Sequence, residues 1–546
     1  ADISCFKQNC VASSIRRQKL APRSSRFLSL CVARGASLGL VSSHVVRYCG
    51  FANSDVIEAS IDQLVTSDWD QRLQMDDTTA LTESDSHGRR GRVRLYLAVS
   101  SACMAALSFG LTLSYSSPAL PDIRRRMPFS DSQGDWFGSL VTIGALFGGL
   151  AGGQLVNRIG RKDTILFAAL GFVLGFLLIE MLPNPGLMFA GRALTGFSTG
   201  ITALVVPVFV SEVSPAHIRG ILNTVCTIAV TSGVLLAYVL GKWLDYRWLA
   251  TACMVPTVIN VLTMPKVAES PRWLFQSGRS DEAMRSLQFY EGDGAKESFE
   301  TLQSNSSVSE PFSLAAFKLP HVYKPFLCVL LGMFLQQFSG ISIMLFYTQD
   351  IFETAGSTLA SADSAIIVGV VQVACGVLAT LLIDRLGRKI LLLFSCSVSC
   401  LSLVALGAFY YLKDSVGPSF VAAYGWLPLL ALCVYMLGYS VGLGPLPWML
   451  MGEMLPPNIK GFATGISTAF NFGCGALIAR EYHSTIYLLG NDGLYWFYGA
   501  NMALGFLLVL LFIPETKGKT LEEIEVSFGK TRQSAMPRAT LDSINA

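Results

Sequence analysis

Asn157-Arg158-Ile159-Gly160-Arg161-Lys162 is echoed much further along the chain by Asp384-Arg385-Leu386-Gly387-Arg388-Lys389. Two more pairs follow in the same order. Glu212-Val213-Ser214-Pro215 with Arg219-Gly220 matches Glu453-Met454-Leu455-Pro456 with Lys460-Gly461, the Glu-to-Pro and Pro-to-Gly spacings being the same. Glu269-Ser270-Pro271-Arg272 matches Pro514-Glu515-Thr516-Lys517. Three motifs repeated in order predict an internal duplication.

Around these motifs the chain is a series of apolar runs. They lie near 95–117, 136–156, 164–182, 187–210, 221–240, 248–264, 325–347, 365–383, 390–411, 426–448, 463–479 and 494–513. Each is about as long as a helix needs to cross a hydrocarbon core of roughly 30 Å. In lipid only a helix satisfies its own backbone within one run. The expected fold is therefore an all-α membrane protein, with twelve transmembrane helices as two pseudo-symmetric six-helix bundles. The expected domains are 93–265 and 324–516 for the bundles, 266–323 for a linker with short helices such as 280–290, and 517–546 for a tail. Residues 1–92 are Arg- and Ser-rich, with no acidic residue from Ile3 to Ser54, and read as a disordered or non-native extension rather than an organelle-targeting segment.

Composition agrees. Of 546 residues, 52% are hydrophobic and only 14% charged, and the mean hydropathy is +0.49; a soluble domain carries about 25% charge. A net charge of +3 is too small to imply nucleic acid. The 13 cysteines have no paired CxxC spacing, and most from Cys103 onward sit inside apolar runs, as small buried thiols do. The five histidines are dispersed, and no Walker loop occurs. Neither a metal, a cofactor nor an enzyme activity is expected. The sequon at Asn305 falls in the linker, where glycosylation is not expected.

Positive charge gives the orientation. If the region before the first run is cytoplasmic, the inside loops hold Arg158, Arg161, Lys162, Arg219, Arg272, Arg385, Arg388, Lys389 and Lys460. Both termini are then cytoplasmic. Arg124, Arg125 and Arg126 run against the rule, partly offset by Asp122, Asp131 and Asp135. The repeated loops pair cations with carboxylates at helix ends. Arg158, Arg161, Glu212, Arg219, Glu269, Arg272, Asp384, Arg385, Arg388, Glu453 and Glu515 are read as a cytoplasmic latch, joining the halves when the protein faces outward and breaking when it faces inward. Setting topology alone would explain the side of these cations, though not the matched Glu-x-x-Pro spacing.

These motifs resemble the sugar-porter family of the major facilitator superfamily, over about 96–528. The specific elements are the stretch from Gly153 to Lys162, Gly191-Arg192, Ala268-Glu269-Ser270-Pro271-Arg272, Gln336-Gln337-Phe338-Ser339-Gly340-Ile341, Gly444-Pro445-Leu446-Pro447-Trp448 and Pro514-Glu515-Thr516-Lys517-Gly518. Phe109-Gly110 with Tyr115-Ser116-Ser117-Pro118-Ala119 is similar to intracellular-type facilitative glucose transporters and facilitated trehalose transporters.

The resemblance implies alternating-access movement of a small neutral sugar. Hydroxyl-rich ligands need side chains that donate and accept, plus aromatic faces. The family pattern makes Gln336, Gln337, Ser342, Gln372, Trp448, Thr227, Asn471 and Phe472 the substrate-binding positions, and Phe346, Tyr347, Gly444, Pro445 and Pro447 the gating ones. On sequence alone, Gln336 and Gln337 also fit a role as glue between helices. The chain departs from the family pattern at Thr227, Ser342, Leu443, Phe472 and Gly475, mostly by losing a polar contact, and at Asn157 in the loop. Proton-coupled members carry a carboxylate where this chain has Thr112, and no Asp or Glu lies between Arg94 and Pro121. Asp135 and Glu180 read as interfacial; Arg192, Glu212 and Glu453 read as latch members. Passive facilitated diffusion by a monomer, at the plasma membrane, is the expectation. A proton-coupled symporter and a non-transporting sugar sensor are the alternatives, and the sugar stays open between trehalose, glucose and fructose.

Overall fold

The computed structural model describes residues 83–181, 183–215, 218–306, 317–455, 459–517, 519, 523 and 526–528. Among them the secondary structure is helical throughout, with no strand. The extension assigned to 1–92 lies mostly outside the described residues, although the first helix already begins at Glu83. Asn305 and Ser306 of the sequon end the helix Ala295–Ser306, while Ser307 and most of the tail lie outside the described residues.

Among the described residues, eleven helices are long and apolar enough to cross a membrane, and a twelfth crossing is broken. The first half holds α1 (Glu83–Ser114), α2 (Asp131–Arg158), α3 (Arg161–Met181), α4 (Pro185–Val213), α5 (Arg219–Gly241) and α6 (Tyr246–Thr263). Three short helices follow, Pro271–Gln276, Ser280–Glu291 and Ala295–Ser306. Ser280–Glu291 buries Ala283, Ser286, Leu287 and Tyr290, one face of a helix. The second half holds α7, in pieces Pro320–Phe338, Ile341–Phe346 and Thr348–Ala355, then α8 (Ser361–Leu386), α9 (Arg388–Val416), α10, in pieces Leu427–Val441 and Leu446–Met454, α11 (Lys460–Arg480) and α12 (Tyr482–Phe512).

The seventh run is thus not one helix, as its hydropathy suggests. It breaks at Gly340, where φ is +88°. The run near 426–448 is likewise interrupted, at Gly442–Pro445, and continues to Met454. Both breaks are at glycine or proline positions, where neighbouring protein must take up the freed backbone groups.

Close helix contact explains much of the glycine content. A Cβ at Gly144 or Gly148 of α2 would lie 2.2 or 2.0 Å from carbonyl oxygens of α4, and one at Gly196 or Gly200 of α4 would lie 2.2 or 2.1 Å from those of α2. Small residues four apart on facing helices let the backbones touch, which is how helices pack where lipid offers no hydrophobic drive. The halves meet mainly along α2 with α11 and α5 with α8.

Consecutive helices alternate in direction, which sorts the connections onto two ends. The motif end carries the repeated loops. The far end carries the α1–α2, α3–α4, α5–α6, α7–α8, α9–α10 and α11–α12 connections.

Candidate functional site

In the second half, two buried glutamines of α7 meet a buried asparagine of α11. Gln336 donates through Nε2 to the carbonyls of Leu443 (2.9 Å) and Gly444 (2.8 Å), in the unwound part of α10. Its Oε1 accepts from Asn471 Nδ2 at 2.8 Å. Asn471 also donates to Met333 O at 3.1 Å and accepts from Gln337 Nε2 at 3.0 Å. Gln337 Oε1 then accepts from Ser342 Oγ at 2.7 Å. The chain of bonds therefore runs Ser342, Gln337, Asn471, Gln336, then the α10 break. This is the satisfaction that buried amides need in an apolar surround, and it ties α7, α10 and α11 together. Both sequence readings of the glutamines, glue and ligand, fit this geometry, since the same amides can exchange partners for hydroxyls.

Leu443 shows what one departure from the family pattern does. Its N–H donates to Ser395 Oγ at 3.0 Å, a bond a proline there could not make. Gly332 of α7 faces Pro447, which brings the second piece of α10 onto α7. Trp448 is half-buried and packs against the core. Phe472 is buried. Gln372 of α8 is buried with its Oε1 lacking a hydrogen-bond partner. Thr227 of α5 stands apart from the amide cluster: it is exposed and donates only to its own helix, at Asn223 O. With Asn223 and Thr231, both half-buried, it forms a polar stripe at i, i+4 and i+8.

At the far end the two halves are fastened. Tyr347 is fully buried, stacks on Tyr482 of α12 (centroids 4.3 Å apart) and donates to Asp135 of α2 at 3.3 Å. Asp135 Oδ1 also lies 2.5 Å from His483 Nδ1. Phe346, beside Tyr347, is buried too. Arg124 sits 3.4 Å from Asp350 and 3.3 Å from Asp131, and Lys242 pairs with Asp363. Tyr238 reaches Leu345 O and Thr348 Oγ1, each at 3.0 Å. Ser117 Oγ accepts from Gln349 N at 3.2 Å. Two expectations change here. Asp135, read as interfacial, is only 2% exposed, because the second half closes over it. His483, read as one of several scattered histidines, is its partner. The offset proposed for the arginine run is real but wider: Arg126 pairs with Asp122 and Asp245.

Arg192 is the clearest relocation. Read as a latch member, it lies near the far-end start of α4 and is fully buried. It donates to Phe137 O (3.3 Å), Thr112 O (3.1 Å) and Ser116 Oγ (2.6 Å). The rings of Phe137 and Tyr115 cover it, 5.0 and 5.5 Å away. Carbonyls and aromatic faces hold the charge, and among the described residues no carboxylate bonds to it.

At the motif end the same kinds of bond recur in both halves. Arg161 clasps Glu212 with two bonds of 2.7 and 2.8 Å and donates to Val156 O. Arg388 clasps Glu453 at 2.8 and 3.2 Å and donates to Ile383 O. Ser270 and Thr516 each donate to the matching glutamate, Glu212 and Glu453. Glu269 accepts from the N–H of Lys162 and of Ser270; Glu515 accepts from those of Arg388, Lys389 and Lys517. Burial raises the Glu269 carboxyl above its ordinary range, against the pull of these N–H groups. At Glu515 burial also pushes upward, but the N–H bonds outweigh it and hold the carboxyl below that range.

The pairs Arg161–Glu212 and Arg388–Glu453 each lie within one half, as do the bonds of Glu269 and Glu515, so here they staple helices inside a bundle rather than half to half. Arg158, Arg219, Arg272 and Arg385 are exposed and make no ion pair to another described residue. The side chain of Asp384 lies outside the described residues. Consistent with parted halves, a Cβ at Gly153, Gly220, Gly452 or Gly461 would meet nothing within 4 Å.

A family model described as "Sugar (and other) transporter" matches residues 78–528. The chain belongs to this family. It is 37% identical over 451 residues to the facilitated trehalose transporter Tret1 of Apis mellifera ligustica, covering 80% of this chain and 89% of that one. It is 38% identical over 461 residues to the Mus musculus solute carrier family 2 facilitated glucose transporter member 8, covering 80% and 95%. Among solved structures, a partially occluded inward-open xylose transporter XylE from E. coli matches with a TM-score of 0.67 at 23% identity, covering 79% of this chain and all of that one. A XylE structure described as a major facilitator superfamily proton:xylose symporter bound to 6-bromo-6-deoxy-D-glucose matches equally well, with a TM-score of 0.67 at 24% identity and 80% of this chain covered. These likenesses establish the major facilitator fold. As a sugar-transporter family member, the chain is a multi-pass membrane protein and a transporter rather than an enzyme.

Proposed function

We propose that this protein is a uniporter that lets a neutral hexose or trehalose equilibrate across a membrane by alternating access. The observation that carries this is the setting of Arg192. In a coupled carrier, a buried cation facing the first helix would answer a titratable carboxylate there. Here Thr112 stands at that point, and Arg192 is served by its carbonyl, by Phe137 O and by Ser116. No proton needs to move for this charge to be held. The facilitated trehalose and glucose transporters to which the chain is similar point the same way.

The sugar binds, on this reading, between the halves against Gln336, Gln337, Ser342, Gln372, Asn471, Phe472 and Trp448, with Thr227 facing it from α5. The unpartnered Oε1 of Gln372 suits a sugar hydroxyl as donor. Phe346 and Tyr347 gate the path, and Gly444, Pro445 and Pro447 let α10 flex. The motif end is cytoplasmic, as its lysines and arginines favour, so the far end is outside and the arrangement described is closed to the outside. Both ends of the helical region face the cytoplasm, the membrane is the plasma membrane, and the monomer is the working unit, without a nucleic-acid partner. The exposed arginines 158, 219, 272 and 385 become half-to-half contacts when the motif end closes.

Uptake of labelled glucose, fructose and trehalose into proteoliposomes tests this. One of them is expected to enter, with Gln336→Ala lowering its uptake at least about tenfold, the effect of losing one or two buried hydrogen bonds worth roughly 1.4 kcal/mol or more. Unchanged uptake by that variant would remove the amide cluster from the site.

A further inference from the structure

Resting on the transport reading above, we propose that Asp135 and His483 position the gating residue Tyr347, and that protonation of their pair locks the outer gate shut. Asp135 is the hub: one carboxylate oxygen is shared by His483 Nδ1 at 2.5 Å and by the Tyr347 hydroxyl at 3.3 Å. The two contacts come from the second half, the carboxylate from the first. Breaking the hub is therefore part of opening the outside.

The fit around the hub is close. Gly138, one turn along α2 from Asp135, makes room for the tyrosine: a Cβ there would lie 2.9 Å from its hydroxyl. Tyr482 stacks on the other face of Tyr347, and His483 meets Tyr347 edge-on at 6.1 Å. The gate ring is thus held by a stack on one side, a glycine surface on another and a hydrogen bond at its tip. Only the last depends on charge.

The charges around His483 set the direction of the pH effect. From α2 it faces Asp135 and, at 3.9 Å from Nε2, Asp131. From α7 come Tyr347 and Asp350, and from the helix Ser116–Arg126 comes Arg124, which lies against both Asp131 and Asp350. On its own helix Tyr482 adjoins it, Glu481 is exposed, and Arg480 at the end of α11 lies over Trp136, 4.9 Å from the ring centroid. Near His483 three aspartates thus stand against one arginine. An imidazolium supplies the missing positive charge and turns the bond from a neutral ring to the Asp135 carboxylate into an ion pair. Acid outside should tighten the gate, and neutral or alkaline conditions should loosen it.

Two readouts on the full chain in proteoliposomes test the proposal, with internal pH fixed and external pH lowered from about 8 to about 5.5. The first is the initial rate of sugar uptake. The second, independent of any sugar, is the distance between spin labels placed by non-cysteine chemistry at Asn184, in the loop between α3 and α4, and Ser415, in the last turn of α9, both at the far end and on opposite halves. For the unmodified chain, uptake is expected to fall about fivefold on acidification, a change equivalent to roughly 1 kcal/mol, while the label distances shift towards the short, closed population. His483→Gln keeps a hydrogen-bond donor but cannot titrate; it is expected to hold the alkaline rate and distances at both pH values. Asp135→Asn, which keeps an acceptor for Tyr347, should do the same. An unmodified chain with no acid-driven closure overturns the proposal without recourse to any variant. So does an unaltered pH profile in His483→Gln or Asp135→Asn. Label distances that close with acid in a His483-dependent way, with no sugar entering at any pH, would support the lock and count against the transport reading alone.

Discussion

Gly475 has no side chain, and this is what lets the Gln337 amide and the Ser342 hydroxyl meet where they do. A Cβ at this position would lie 2.9 Å from Gln337 Oε1 and 3.2 Å from Ser342 Oγ. Gly475→Ala is expected to push the Gln337 amide off its partner and raise the KM for the transported sugar about fivefold, for the loss of roughly 1 kcal/mol of hydrogen bonding. The helix should be no less stable, since alanine is the better helix former; the concentration dependence of uptake, set beside thermal unfolding in detergent, checks both. At this scale the sequence is informative where a polar residue stands out in an apolar run. Gln336, Gln337 and Asn471 are conspicuous in that way, and they do meet. It is silent where partners are far apart in the chain: His483 and Asp135 are separated by 348 positions, and no local pattern joins them. Arg192 misleads for a related reason. A lone cation near a helix end reads as a latch member until its partners, two carbonyls and a hydroxyl, are seen.

At the scale of the element, the repeated loops act as staples. Gly160 and Gly387 turn the chain with φ of +96° and +92°, a conformation that costs other residues about 1–3 kcal/mol. A Cβ at either would also run into a carboxylate, 2.3 Å from Glu269 Oε2 and 2.6 Å from Glu515 Oε2 respectively. Gly160→Ala and Gly387→Ala should therefore both lower the thermal midpoint. Glu212→Gln should lower it further than Glu453→Gln, because the Arg161–Glu212 side chains are 8% and 10% exposed against 12% and 29% for Arg388–Glu453; stranding a buried cation costs roughly 3–5 kcal/mol and less near water. Equal effects would mean that burial does not set the strength of the staple. The motif pairs made this layer visible in the sequence, because identical spacing implies identical geometry. The breaks in α7 and α10 were hidden, since a window of hydropathy averages over a single left-handed glycine or a Gly-x-Gly-Pro interruption.

The whole molecule is two such stapled bundles joined by contacts of unequal kind. Apolar packing along α2–α11 and α5–α8 serves as a pivot, while the far end adds charge pairs and hydrogen bonds between the halves and the motif end, among the described residues, keeps its ion pairs inside each half. A rocking motion then needs only exchange of weak polar contacts at the two ends, not repacking of either bundle. The twelve crossings, the two halves and the family were legible in the sequence, because lipid imposes run length and duplication repeats the loops. Which end is closed was not, since that is a property of how the halves meet. Nothing in the Arg192 setting demands a proton, so the sugar runs down its own gradient only. The most direct measurement is the final level of labelled sugar in proteoliposomes, with and without an imposed pH gradient. The same end point is expected in both, with internal and external concentrations equal. Accumulation above the external concentration that collapses when the pH gradient is dissipated would contradict it.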